Sequence, residues 1–150
     1  MYILNKILKQ PTYCLTLDEN YCDSQHVVID SIKCAKTSVN ACIYKFNNDD
    51  IMFELKNALK RGVIVKMIMD YENNYNTKIT KNLIEAGANI KFWKQHEKLH
   101  AKFIIIDNKV FTGSFNLTTS KKHKVDLIVT LSDEASCHNF HTLFNKLYNK

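Results

Sequence analysis

Apolar positions in this chain recur with two periods, and the changeover between them marks out the elements. Val28, Ile29, Ile32 and Ala35 fall at helical spacing behind Ser24, a plausible N-cap. Asp49 can cap a second helix whose stripe is Met52, Leu55 and Leu59, closing with Lys60 and Arg61 before Gly62. Ile79, Leu83 and Ala86 form a third stripe that stops at Gly87, and Phe140, Leu143, Phe144 and Leu147 form a last one. Between these stripes the pattern reads as strand: Tyr13 to Leu17, Ser38 to Tyr44, Asn89 to Trp93 and Val125 to Leu131. Val63 to Met69 is a nearly continuous apolar run ending at Asp70, as a central parallel strand covered on both faces requires. Lys102 to Asp107 and Lys109 to Thr112 make a hairpin across a turn at Asp107, Asn108 and Lys109. Strands alternating with helices predict right-handed βαβ units and an α/β sandwich, and the late hairpin makes its sheet mixed, though mostly parallel. Glu72 to Asn76 reads as a surface loop, Lys121 to Lys124 as a basic loop, and residues 1–12 as a loose arm or a short helix.

Length and composition narrow this picture. At 150 residues the chain suits one domain spanning 1–150, with room for a core. No run approaches the roughly 18 apolar residues of a membrane span, and the N-terminus carries no secretory pattern, so an intracellular, cytoplasmic protein is expected. Five cysteines, Cys14, Cys22, Cys34, Cys42 and Cys137, lack C-x-x-C spacing, which favours thiols over a disulfide framework or a zinc site. Net charge is +6, and between Lys91 and Lys124 stand eight lysines against only Glu97 and Asp107, enough to account for all of it. A basic field of that kind attracts a polyanion.

The candidate chemistry lies inside that window. His100 and Lys102 stand two apart at the head of the apolar run Phe103 to Ile106, so on a strand both project from one face and can meet one anion. Asp107 follows the run, and after the turn comes Gly113-Ser114-Phe115-Asn116, where small residues let backbone N–H groups approach an oxygen-rich ligand. Imidazole, ammonium, amide and hydroxyl together suit a phosphodiester. A lone histidine on a strand is commonly structural and Gly-Ser-x-Asn alone is only a turn, so the ordered set carries the signal. His96-Glu97-Lys98 shows the contrast, since neither an apolar strand nor an Asp follows it at that distance; it reads as a solvated approach. His96 and His100, four apart, would share a face for a metal only on a helix, and the run after them argues for a strand.

These residues resemble the signature of the phospholipase D superfamily, His-x-Lys-(x)4-Asp followed by Gly-Ser-x-Asn, matched by His100, Lys102, Asp107, Gly113, Ser114 and Asn116. Five residues, Asn108 to Thr112, separate the Asp from the Gly, one fewer than is usual in similar proteins. The resemblance covers about residues 24–148 and implies a phospholipase D-like α/β/α sandwich with helices flanking the sheet. It further implies a phosphodiesterase that needs no metal or other cofactor. Such chemistry calls for two histidines where this chain has one motif, and small single-motif relatives resolve this as a symmetric homodimer sharing one site. One His100 is then the nucleophile, forming a phosphohistidine, and the other the general acid. Lys102 and Asn116 bind phosphate oxygens, Ser114 supports them, Gly113 makes room, and Asp107 organises the hairpin. Asp126 falls near where relatives carry a glutamate that orients the imidazole, and His123 could contact substrate. DNA or RNA is the expected substrate, with Phe92, Trp93 and Phe115 as possible stacking residues, at least two of which the core should claim. A phospholipid such as cardiolipin is the alternative, although small relatives of that kind tend to carry an N-terminal membrane helix, and a binding module without catalysis is a third reading that the intact His100, Lys102 and Asn116 disfavour.

Overall fold

The computed structural model describes residues 12–16, 25–119 and 126–150. In chain order these form β1 (Thr12–Thr16), α1 (Gln25–Cys34), β2 (Ser38–Ile43), β3 (Phe46–Asn47), α2 (Asp49–Lys60), β4 (Ile64–Asp70), α3 (Tyr71–Asn74), α4 (Lys78–Glu85), β5 (Asn89–Trp93), β6 (Phe103–Ile106), β7 (Lys109–Gly113), β8 (Leu117–Thr118), β9 (Asp126–Leu131) and α5 (Glu134–Tyr148). Ser24, His123, the Lys121 to Lys124 loop and residues 1–11 of the expected arm lie outside the described residues.

Alternation along the strands builds two cores. In β6, Ile104 and Ile106 join one apolar cluster while Phe103 and Ile105 join the other, and all four are buried. The first cluster takes Val28, Ile29 and Ile32 from α1, Ile51 and Leu55 from α2, and Ile79 and Leu83 from α4, together with Val65, Met67 and Met69 from β4. The second takes Cys137 and Phe144 from α5, with Cys42 and Ile68 from the sheet. Helices thus cover both faces, the α/β/α sandwich expected from the alternating pattern.

The main sheet has seven strands in the order β1-β9-β7-β6-β2-β4-β5, and a two-stranded sheet pairs β3 with β8. Within the main sheet β2–β4 and β4–β5 are parallel while β2–β6, β6–β7, β7–β9 and β1–β9 are antiparallel, and the small β3–β8 pair is parallel. The sheet is mixed as expected, but parallel ladders dominate only its β2, β4 and β5 half. From β6 to β9 the strands follow one another without a crossover helix, and in the main sheet β6, β7 and β9 pair antiparallel.

Local signals act largely as the sequence suggests. Asn48, one residue before the expected cap Asp49, accepts from the Ile51 N–H at 3.0 Å through its side chain, and Gly62 follows α2 at φ +86°. Arg61, the chain's only arginine, donates to the Ile32 carbonyl at 2.9 Å, so its charge serves the end of α1. The stretch expected as a loop at Glu72 to Asn76 instead begins as the single-turn helix α3, capped by the Asp70 carboxylate accepting from the Asn73 N–H at 3.2 Å. Asn74 within it is fully buried, donating to the carbonyls of Tyr44 and Asp70 at 2.8 Å each and accepting from the Phe46 N–H at 2.9 Å. Among the described residues no helix is long and apolar enough to cross a membrane.

Candidate active site

The β6–β7 hairpin brings the two halves of the motif together. Ile106 pairs with Lys109, so only Asp107 and Asn108 make the turn, with Asp107 at φ +49°. This two-residue turn and β7 carry the chain from Asp107 to Gly113. Phe103 pairs with Thr112, so the residues just before β6 lie opposite those just after β7, and the Thr112 hydroxyl donates to the Lys102 carbonyl at 3.0 Å. His100 and Lys102 therefore sit on the extended approach to β6, ahead of the strand itself, because ladder pairing begins at Phe103. Their side chains still converge: the Lys102 ammonium lies 3.4 Å from His100 Nδ1 and donates to the His100 carbonyl at 2.9 Å. The burial of Phe103 and Ile105 behind them fixes the direction of both.

Tyr44, immediately after β2, was not singled out by the sequence. Its ring lies 4.8 Å from that of His100 and 5.5 Å from the Lys102 ammonium, packing beside the imidazole and offering a π-face to the cation. Because Cys42 of β2 pairs with Phe103, Tyr44 necessarily comes level with the motif. Only the cross-strand register reveals this, and a single sequence does not print that register.

Gly113 has φ +152°, and a Cβ on it would stand 1.9 Å from the Leu127 carbonyl oxygen. The glycine is thus what lets β7 close against β9 at this end. Ser114 then ties the two strands: its N–H donates to the Leu127 carbonyl at 3.1 Å, its hydroxyl accepts from the Leu127 N–H at 3.0 Å, and the same hydroxyl donates to Asp126 at 3.1 Å. A hydroxyl has one proton to give, so Ser114, expected to support phosphate binding, is committed to Asp126. Asp126, expected to orient the imidazole, accepts this bond from Ser114, and its charge also acts on Lys102. Partial burial lowers the Lys102 pKa below the ordinary lysine value, while the Asp126 charge works in the opposite direction.

Phe115 is fully buried, which leaves Asn116 half-buried, and Asn116 Oδ1 is enclosed with no hydrogen-bond partner among the described residues. An amide oxygen left in that state is costly unless something else approaches it. The chain after Asn116 is pinned by β8 pairing with β3, and by Thr119 donating its N–H and hydroxyl to Asn47 at 3.0 and 2.9 Å.

Asp107 is not part of this cluster. It stands at the far end of β6, where its carboxylate accepts from the N–H groups of Lys36, Thr37 and Ser38 at 2.9 to 3.0 Å. Burial opposes its ionisation, but those donors and the Lys36 charge outweigh it and hold its pKa below the ordinary carboxylate value. It joins the hairpin turn to the start of β2. Trp93 and Phe115, considered for base stacking, are buried, and only Phe92 of that trio is half-exposed. Residues 94–98 are exposed, as expected of a solvated approach.

Similarity to known proteins bears on the family and the fold. The family model described as "Cardiolipin synthase, PLD-like domain" matches residues 28–148. The mitochondrial cardiolipin hydrolase of Danio rerio is 30% identical over 71% of this chain and 49% of its own length. The phospholipase D of Rickettsia bellii is 33% identical over 71% of this chain and 54% of its own. The chain thus spans about half the length of these curated relatives. Among solved structures, Nuc of Salmonella typhimurium, a phospholipase D family member, superposes with a TM-score of 0.81 at 27% identity, covering 93% of this chain and 95% of its own.

Proposed function

Because this chain belongs to the phospholipase D-like family whose model matches residues 28–148, we propose that it is a metal-independent phosphodiesterase that cuts DNA or RNA internally at a site shared by two copies. The observation that carries this reading is the convergence of His100 and Lys102 with Gly113 to Asn116 at one end of the hairpin, with 3.4 Å between ammonium and imidazole. Lys102 binds a phosphate oxygen through its charge, and the Asn116 amide N–H group binds another. One neutral His100 attacks phosphorus, forming a P–N bond as the P–O bond to the leaving group lengthens. The second His100, as imidazolium, gives that oxygen its proton. Deprotonated by this transfer, the second ring then takes a proton from water, whose oxygen displaces the first ring from phosphorus. Ser114 and Asp126 are positioning residues: the pair anchors the β7 end and sets the charge felt by Lys102.

Nucleic acid is preferred as substrate because the motif lies in sequence within the lysine-rich stretch from Lys91 to Lys124, and nucleic acid is a polyanion. Hydrolysis of a phospholipid is the second reading, favoured by the names of the curated relatives. Incubating the protein in EDTA with labelled single-stranded DNA, RNA and cardiolipin vesicles separates them. Internal cleavage of nucleic acid is the expected result, and cleavage of lipid alone contradicts it. His100→Ala should lower kcat by about 10³-fold or more with folding and self-association intact. Activity near that of the unaltered chain would remove His100 from the reaction.

A further inference from the structure

A cluster of aromatic rings beside the site remains unused by the chemistry above. Tyr71 and Tyr75 stack with centroids 4.5 Å apart and planes 28° apart, and Phe92 meets both edge-on, at 6.2 and 5.3 Å. Tyr75 is 53% exposed despite this packing. The Lys94 ammonium stands 4.5 Å from the Tyr71 centroid and 5.6 Å from that of Tyr75. A rigid, half-solvated aromatic ledge with a cation over it offers a flat apolar face and a positive charge side by side.

The topology sets this ledge on the same end of the sheet as His100. Tyr71 follows the last residue of β4 and Lys94 the last of β5, and those two residues, Asp70 and Trp93, pair in parallel. Tyr44, against the His100 ring, follows β2, whose Ile43 pairs with Met69 of β4. Two contacts join the regions directly. Asn74 of α3 donates to the Tyr44 carbonyl at 2.8 Å, and Glu72 of α3 lies 3.9 Å from Lys98 on the segment leading to His100. With strands about 4.8 Å apart, β4 and β5 are two and three strands from β6, which sets the ledge about 10 to 14 Å from the motif. A single strand covers that distance in roughly two to four nucleotides, depending on how far it is extended.

We propose that Tyr75, backed by Tyr71 and Phe92, is a stacking subsite for a nucleobase a few nucleotides from the phosphate held at His100 and Lys102, with Lys94 pairing an adjoining phosphate. The inference rests on the nuclease reading and sharpens it: the substrate is an unpaired strand, since a base must leave its helix to lie on a tyrosine. Every base has a π-face, so the subsite gives affinity with little sequence preference.

The test compares the full chain with Tyr75→Ala, Tyr75→Phe and Lys94→Ala on a labelled single-stranded 12-mer, on a dinucleotide, and on bis(4-nitrophenyl) phosphate. Tyr75→Ala should raise KM for the 12-mer about 5- to 50-fold, leave the dinucleotide and the small ester unchanged, and be rescued by Tyr75→Phe. Lys94→Ala should raise the same KM and flatten its salt dependence by the share of about one phosphate contact. An unchanged 12-mer KM in Tyr75→Ala overturns the subsite. So does an equal loss on all three substrates, which would report a disturbed fold. If the unaltered chain cuts no nucleic acid at all, the nuclease reading itself fails.

Discussion

Gly113 is the residue at which local backbone and site geometry meet. An alanine there would drive its Cβ into the Leu127 carbonyl, 1.9 Å away, with backbone on both sides of the clash, and would hold φ near +152°. Neither can relax through a side chain, so Gly113→Ala should cost about 3 kcal/mol or more and open the β7–β9 pairing next to Ser114. Thermal denaturation reads the loss; a melting temperature within a degree or two of the unaltered chain would contradict it. Asp107 tests a different account, in which a residue of the motif acts through stability. Its folded pKa lies below the ordinary value, so its contribution is present above the unfolded pKa of about 3.9 and is lost as pH falls through the folded value. The site is partly open to water, so Asp107→Asn should cost about 1 to 2 kcal/mol at pH 7, and the loss should shrink on acidification below pH 4. Urea titrations at the two pH values measure this, and a pH-independent difference would refute it. The motif made both residues legible in the sequence. Their partners, Leu127 for one and Lys36 to Ser38 for the other, were not, because those contacts come from strands and turns brought together only by the sheet. Burial alone also explains Cys42, whose thiol is pushed up to about 12 and should resist alkylation in the folded chain.

Among the elements, those with a clear period were readable and those too short to have one were not. The stripes of α1, α2, α4 and α5 and the apolar run of β4 each repeat often enough to declare themselves. The two-residue strands β3 and β8 and the single turn α3 do not, since their stability comes from partners distant in the chain. Asn74 is the clearest case: one buried amide holds α3 to the exits of β2 and β4, and so steadies Tyr44 beside His100. Asn74→Ala leaves two carbonyls and one N–H in want of partners and should cost about 2 to 4 kcal/mol. It should also lower kcat/KM, although the residue is not expected to touch substrate. A stability loss under about 0.5 kcal/mol would show that water replaces the amide freely. The same reasoning explains why the sheet contains fewer parallel ladders than the alternating first half suggested. Hairpin returns dominate after β5, and the motif itself lies on one of them.

At the scale of the whole molecule, the fold gathers the ends of β2, β4, β5 and β7 and the starts of β6 and β9 at one edge, so that cation, imidazole, amide and aromatic ledge share a surface. One chain supplies one motif histidine to that surface, whereas the proposed attack on phosphorus and protonation of the leaving oxygen use two, so the proposal makes a pair of chains part of the mechanism. Mixing the unaltered chain with His100→Ala at fixed total concentration, after the subunits have exchanged, tests this most directly. If both copies of His100 serve one phosphate, mixed pairs are dead and activity follows the square of the unaltered fraction, about one quarter at an equal mixture. Activity that falls in simple proportion, to about one half at the same mixture, would mean that each chain works alone and would contradict the shared site.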